Sequence, residues 1–382
     1  MIYGSLKKEI LFVDTEMTSR ERFIGALEGE NVDRVPYGYL WFGAGHAVLE
    51  RMGVTLRDAY CSAEGIARAQ ILAREMYHHD NVMSPWGCLL VEAEALGTKI
   101  NIKENAYPAV TKYALKSATE HELINPESVE KSDRVKTITE SIEILKKEIG
   151  NEAFITGAAM SPLMLASQVM GGSRLCIDML KDRDSFHSLL EKLTESCILF
   201  ASSMLEAGAD GIFVENGENT GDLFSPQMAE EFMLPYTKRL YNHIKEEGGY
   251  VISHNCAASA FYDLEMKLEP HALNFAFGNV RLLGKKYGVE CRKLHNHNNI
   301  GCGPRYCFRE FNELSDSGIC LMGNIIPDAA LVGSRAEIEH EVRSCLSAAP
   351  EKGFILATGC EIPLNTPLEK MEMLWNAIKA EI

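Results

Sequence analysis

The chain has 382 residues, 46% of them hydrophobic, a formal charge of −16 and 11 cysteines. That hydrophobic content fills a large core and excludes a disordered chain, while the acidic balance excludes a nonspecific nucleic-acid binder, which needs a basic stripe. An odd number of cysteines scattered over so long a chain points to reduced thiols and excludes a secreted disulfide scaffold.

The opening stretch MIYGSLKKEILFVDTEMTSRERF has no long apolar h-region and no small-residue cleavage site, which predicts a cytoplasmic protein. No run approaches the roughly 20 apolar residues of a membrane span, so no membrane partner is expected. Residues 18–30 predict an N-terminal helix, with Thr18 and Glu21 spaced as a capping box. A turn and strand follow at 32–43, a helix at 58–77 and an extended stretch within 80–97. Alternating polar and apolar residues on both sides of a turn predict a β-hairpin insertion over 98–115, and a charged helix runs over about 127–149.

From there strands and helices alternate. AFITGAAMS (153–161) and DGIFVEN (210–216) read as buried strands separated by helix, and SPQMAEEFMLPYTKRLYNHIKEEGG (225–249) has the Ser cap, following Pro and terminal glycines of a helix. YVISHNC (250–256), HALNFAF (271–277), SGICLMGNI (317–325) and KGFILATGC (352–360) are further strands. With segments near 35–42 and 80–86 the count is eight strands, which predicts a single (β/α)8 TIM barrel over residues 1–382. A doubly wound open sheet is the rival, but no Gly-rich phosphate loop follows the first strand. KYGVECRKLHNHNNIGCGPRYCFREF (286–311) is a polar insertion late in the barrel, too long for an ordinary loop.

Barrel strands present their C-terminal ends to one face, where active sites are built. His254 and Cys256 end one strand and Cys360 ends another, so the three can meet although they are far apart in sequence. Singly, each has an ordinary reading: a buried Cys is a small hydrophobe and a strand-end His is a hydrogen-bonding side chain. Together, two thiolates and an imidazole suit zinc with one position left open, the catalytic rather than the closed structural pattern. Glu215, Asn216 and Asn324 end other strands and are candidate catalytic residues, against the alternative that they cap helices or bond loop backbone. Tyr39, Trp41, Glu92 and Met160 are candidates for the substrate pocket, against ordinary packing or surface solvation.

MTSRERFIGALEGENVDRVPYG (17–38) resembles the opening of the uroporphyrinogen decarboxylase superfamily. VEAEALG (91–97), GADGIFVENGENTGDLFSPQMAEEFMLPY (208–236), LMGNIIP (321–327) and GFILATGCEIPLNTPLEKMEML (353–374) resemble its corrinoid-dependent zinc methyltransferase branch, that of the methylcobalamin:coenzyme M methyltransferases. The resemblance covers roughly residues 17–382. It implies a (β/α)8 barrel, zinc on His254, Cys256 and Cys360, and a corrinoid (methylcobalamin or cob(I)alamin) supplied by a small corrinoid-binding partner protein. It also implies a small-molecule methyl donor or acceptor.

Two departures stand out. The branch's HICG reads HNCA here, with Asn255 and Ala257, and its acidic residues after the next strand are replaced by NFAFGN. The insertion offers His295, His297, Cys302 and Cys307, with the two histidines as candidate substrate contacts under a lid, against a second metal site whose spacing matches no common zinc pattern. The Arg-rich segment by which the decarboxylases hold substrate carboxylates is missing from GYLWFGAGHAVLERMG (38–53), which has Arg51 alone. The alternatives are a metal-free decarboxylase-like enzyme and a non-catalytic barrel subunit with a structural metal. A homo-oligomer is compatible with the sequence.

Overall fold

The computed structural model describes residues 17–86, 90–257, 260–276 and 318–382. After strand β1 (Asn81–Ser84), a hairpin of β2 (Lys99–Asn101) and β3 (Ala109–Lys112) stands apart as its own two-stranded antiparallel sheet. The main sheet continues through β4 (Phe154–Met160), β5 (Gly211–Glu215), β6 (Tyr250–Asn255), β7 (Ala272–Phe275), β8 (Cys320–Ile325) and β9 (Phe354–Thr358). It is parallel throughout, with neighbours in chain order from β1 and β4 to β9. Each core strand is covered on both faces, which is why these segments read as near-continuous apolar runs; all seven residues of β4 are buried.

The expected first strand, 35–42, is the one place where the strand count needs correcting. The segment is extended, but it meets the sheet through a single bridge from Tyr37 to Leu356. On that side Gly38 N–H donates to Leu356 O at 2.7 Å and Leu356 N–H to Pro36 O at 2.9 Å. On the other side Asp80 N–H donates to Tyr37 O, and then a side chain replaces the ladder. Asn81 Oδ1 accepts from Tyr39 N–H at 2.7 Å while its Nδ2 donates to Tyr39 O at 3.0 Å. The segment thus joins β9 to β1 and completes the ring. A Cβ on Gly38 would lie 2.6 Å from Met322 Cε and 3.0 Å from Ile355 Cγ2, so the segment packs closely on β8 and β9 here.

The N-terminal helix, Ser19–Leu27, carries the expected capping box of Thr18 and Glu21. It packs against β1, β4 and β9, with Phe23 stacked on Phe154 at 4.6 Å. Below β1, the fully buried Asp80 accepts from Arg22, from both Nη atoms of Arg34 and from Tyr37 N–H. The predicted helix at 58–77 is split into Leu56–Tyr60 and Ala63–Tyr77, and the one following β6 is Tyr262–Lys267. No helix among the described residues is long and apolar enough to cross a membrane. The insertion at 286–311, with His295, His297, Cys302 and Cys307, lies outside the described residues.

Candidate metal centre

Parallel pairing brings one residue from each of five neighbouring strands to the same level. Met160 is in register with Glu215, Glu215 with His254, His254 with Asn274, and Asn274 with Met322. Cys256 follows β6, Cys360 follows β9, and both stand just above that row. Gly359 lets the Cys360 turn come in, since a Cβ there would lie 2.7 Å from Ala276 Cα. Thr358 Oγ1 donates to Cys360 O at 2.6 Å and holds the turn.

His254, Cys256 and Cys360 offer ligand atoms that all lie within 4.8 Å of one another, and they form the candidate metal cluster among the described residues. His254 is fully buried and both cysteines are partly buried. His254 Nδ1 is 2.5 Å from Asn274 Oδ1, whereas its Nε2 is buried without a hydrogen-bond partner and lies 3.3 Å from Glu215 Oε2. Burial alone would lower the His254 pKa, but the Glu215 carboxylate, Cys256 and Asn274 outweigh it and raise the imidazole to about 9. The Cys256 thiol is held protonated by its hydrogen bond with Cys360 and by burial. Burial raises Glu215 as well.

This donor set fits zinc. Two sulfurs and one imidazole nitrogen suit its softness, three protein ligands leave a tetrahedral position for substrate, and an unpartnered buried nitrogen faces the cluster. Glu215 stands at its edge.

Trp41 lies beside the cluster: its ring is edge-on to His254 at 5.2 Å and to Phe213 at 5.1 Å, and its buried indole N–H has no partner. Its backbone is left-handed, with φ of 48°, pinned by Met83 Sδ on its N–H and by Gln70 Nε2 on its carbonyl. Strain of this kind at a bulky residue clusters at functional sites. Met160 and Glu215 lie in the row described above.

Four other candidates have these surroundings. The Tyr39 ring stacks on His79 at 4.0 Å, and its hydroxyl donates to Gly43 O. Glu92 is fully buried, and its Oε1 accepts the N–H of Met160 at 2.9 Å, so it holds the end of β4 rather than meeting solvent. Asn216 turns to the helix layer, donating to Tyr241, Ser253 and Glu265. Asn324 likewise places Oδ1 3.9 Å from Cys345 Sγ on helix Arg335–Ala348. For Asn216 the cause is the strand period of two: it directly follows Glu215 and so turns to the opposite face.

Sequence reasoning missed Asn274, Glu265, Thr358 and Glu361. Asn274 left a faint signal as the one polar side chain inside the apolar run ALNF. Glu361 accepts Phe42 N–H at 2.9 Å and Tyr107 O–H at 2.5 Å, joining the turn after Cys360 to the segment between β2 and β3. Burial raises its pKa to about 7.

A model of the family described as uroporphyrinogen decarboxylase (URO-D) matches residues 18–381. The chain is 26% identical to methylcobamide:CoM methyltransferase MtaA of Methanosarcina barkeri over 94% of its own length and 97% of that protein's. It is 21% identical to a methylated-thiol–coenzyme M methyltransferase of Methanosarcina mazei, over 96% and 90% of the two chains. Among solved structures it is similar to a methyltransferase from Methanosarcina mazei, with a TM-score of 0.81 and 23% identity over 96% of this chain and 99% of that one. That likeness supports the TIM-barrel fold.

Proposed function

The chain belongs to the uroporphyrinogen decarboxylase family, and from that premise we propose that it is a zinc-dependent, corrinoid-linked methyltransferase. A methyl group would pass between the cobalt of a corrinoid on a separate protein and the sulfur or oxygen of a small substrate. The observation that carries the reading is the convergence of His254, Cys256 and Cys360, with ligand atoms within 4.8 Å of one another. Relatives named as methylcobamide:CoM and methylated-thiol–coenzyme M methyltransferases along nearly the whole chain support the reaction class.

His254, Cys256 and Cys360 would hold the metal. Zinc there supplies Lewis acidity toward a thiol, thioether or methyl ether, lowering the pKa of the departing or attacking group. Glu215, 3.3 Å from His254 Nε2, would hydrogen-bond a substrate head at the cluster. Trp41 and Phe213 form an apolar wall beside His254 that keeps water from the reacting atoms and offers the unpaired indole N–H as a donor. Asn274 keeps the imidazole in place. The reading also places the protein in the cytoplasm, with a small corrinoid protein meeting the barrel mouth.

The test is metal content and methyl transfer in the parent protein and in Cys360→Ala. Stoichiometric zinc in the parent, its loss in the variant with the circular-dichroism spectrum unchanged, and demethylation of methylcobalamin by a thiol in the parent alone are expected. Zinc absent from the parent, or equally retained by the variant, would overturn the reading and turn attention to metal-free chemistry.

A further inference from the structure

Behind the cluster, on the helix side of the sheet, sits a carboxylate with no direct contact to substrate chemistry. Glu265, on helix Tyr262–Lys267, is fully buried. Four neutral donors meet it among the described residues: Ser253 Oγ at 2.6 Å, Asn219 Nδ2 at 2.8 Å, Asn216 Nδ2 at 3.0 Å and Asn255 Nδ2 at 3.1 Å. Ser253 and Asn255 flank His254, while Asn216 and Asn219 lie in the loop that follows Glu215. A single side chain therefore ties the ends of β5 and β6 together at the level of the cluster.

The strand period explains why this matters for the ligands. His254 faces the barrel interior, so its two neighbours face the helix layer, where Glu265 receives both. Fixing both neighbours fixes the direction in which the imidazole points. Asn255 carries the effect on to Cys256. A carboxylate accepts and does not donate, so Glu265 draws the Asn255 amino group toward itself and turns Oδ1 the other way. That oxygen accepts Ala257 N–H at 3.0 Å, an Asx turn spanning Cys256. The amino group also reaches Asn216 O at 3.0 Å and Asn219 O at 3.1 Å. Asn255, where the resembling family has an apolar residue, and Glu265 thus belong to one device.

We propose that Glu265 is a positioning residue for the metal ligands: through Ser253 and Asn255 it sets where His254 Nε2 and Cys256 Sγ stand relative to Cys360. The inference rests on the metal-binding reading above. Outer partners that orient ligands change metal affinity about 10- to 100-fold when removed, and that is the loss expected for Glu265→Gln, which replaces one accepting oxygen with an amino group facing other donors. Ser253→Ala, which removes one hydrogen bond and keeps the carboxylate, should lose several-fold.

The experiment is competition for cobalt(II) and zinc against a chromophoric chelator, with the cobalt-thiolate charge-transfer and d–d bands recorded for parent, Glu265→Gln and Ser253→Ala. Thermal unfolding of each metal-free protein is the fold control. Weakened affinity and shifted d–d bands in folded variants are expected. Parent-like affinity and bands in a folded variant, even with a lowered melting temperature, would overturn the proposal and leave Glu265 a purely structural group. If Glu265→Gln does not fold, Ser253→Ala decides alone by the same criteria. A parent that binds neither metal instead sinks the metal-binding reading itself.

Discussion

Asn274 settles which nitrogen of His254 faces the cluster. Its Nδ2 donates to Met322 O at 3.0 Å and to Thr358 O at 3.2 Å, two carbonyls that only accept. Its Oδ1 must then be the atom turned to His254, 2.5 Å from Nδ1, and Nδ1 must carry a proton. The lone pair of a neutral imidazole is left on Nε2, on the side of Cys256 and Cys360. Asn274→Leu should free the ring to change tautomer and weaken zinc binding by about 10- to 100-fold. Asn274→Asp, which keeps an acceptor and adds a charge, should bind at least as tightly as the parent. Equal chelator-competition constants for the Leu variant and the parent would refute this.

The Trp41 ring lies 5.2 Å from the His254 ring, so it reports on the cluster. The other two tryptophans pack elsewhere, Trp86 on Phe42 and Tyr60 and Trp375 on Tyr37 and His78. Cobalt(II) bound at His254 should quench a distinct part of the indole fluorescence, and Trp41→Phe should abolish that quenching while cobalt still binds. Quenching that survives the substitution would mean the metal sits away from Trp41.

Strand periodicity made the barrel legible in the sequence, and the His-x-Cys pair with a Cys at another strand end marked the three residues of the candidate cluster. What periodicity could not supply was the face. Asn216 sits at a strand end, as expected, yet it is one residue past Glu215, and that single step turns a side chain from the mouth to the helix layer. The segment around Tyr37 looked like a full strand because its apolar content is that of one. The ladder it lacks is supplied by the side chain of Asn81, a substitution that no local pattern announces. Glu265 was invisible for a different reason: on a six-residue helix, a lone Glu looks like surface until the donors from two strand ends are seen around it.

Asp80 anchors the opposite end of the barrel. It is fully buried and accepts from Arg22 Nη1 at 2.8 Å and from Arg34 Nη1 and Nη2 at 2.9 and 2.8 Å. Asp80→Asn takes this partner from Arg34 while Arg22 keeps Asp33, so the cost lies near the lower end of the about 3–5 kcal/mol for breaking a buried pair. The melting temperature should therefore fall by roughly 4 °C for a chain of this size. Because Asp80 precedes β1, at the end away from the cysteines, zinc affinity per folded molecule should stay as in the parent. A variant as stable as the parent, or one that lost zinc while folded, would contradict this division between the two ends.

Glu92 gives the fold a pH dependence of definite sign. Burial raises its carboxyl pKa from 4.5 to about 7; Oε1 has the Met160 N–H, and Oε2 is buried without a partner. The folded state therefore keeps the proton over a range in which the unfolded chain has lost it. Stability is fully present below about pH 4.5 and falls as pH rises toward 7, by about 3 kcal/mol in total at 1.36 kcal/mol per pKa unit. Glu361, also raised to about 7, acts in the same direction, so the parent's profile alone would mix the two. Glu92→Gln separates them, because an amide does not titrate and the Glu361 contribution cancels in the difference. Between pH 5 and 8 the parent should lose roughly 3–4 °C of melting temperature relative to Glu92→Gln. Parallel melting curves for the two proteins over that range would show that Glu92 is ionised in the folded protein at low pH, and that burial does not control it.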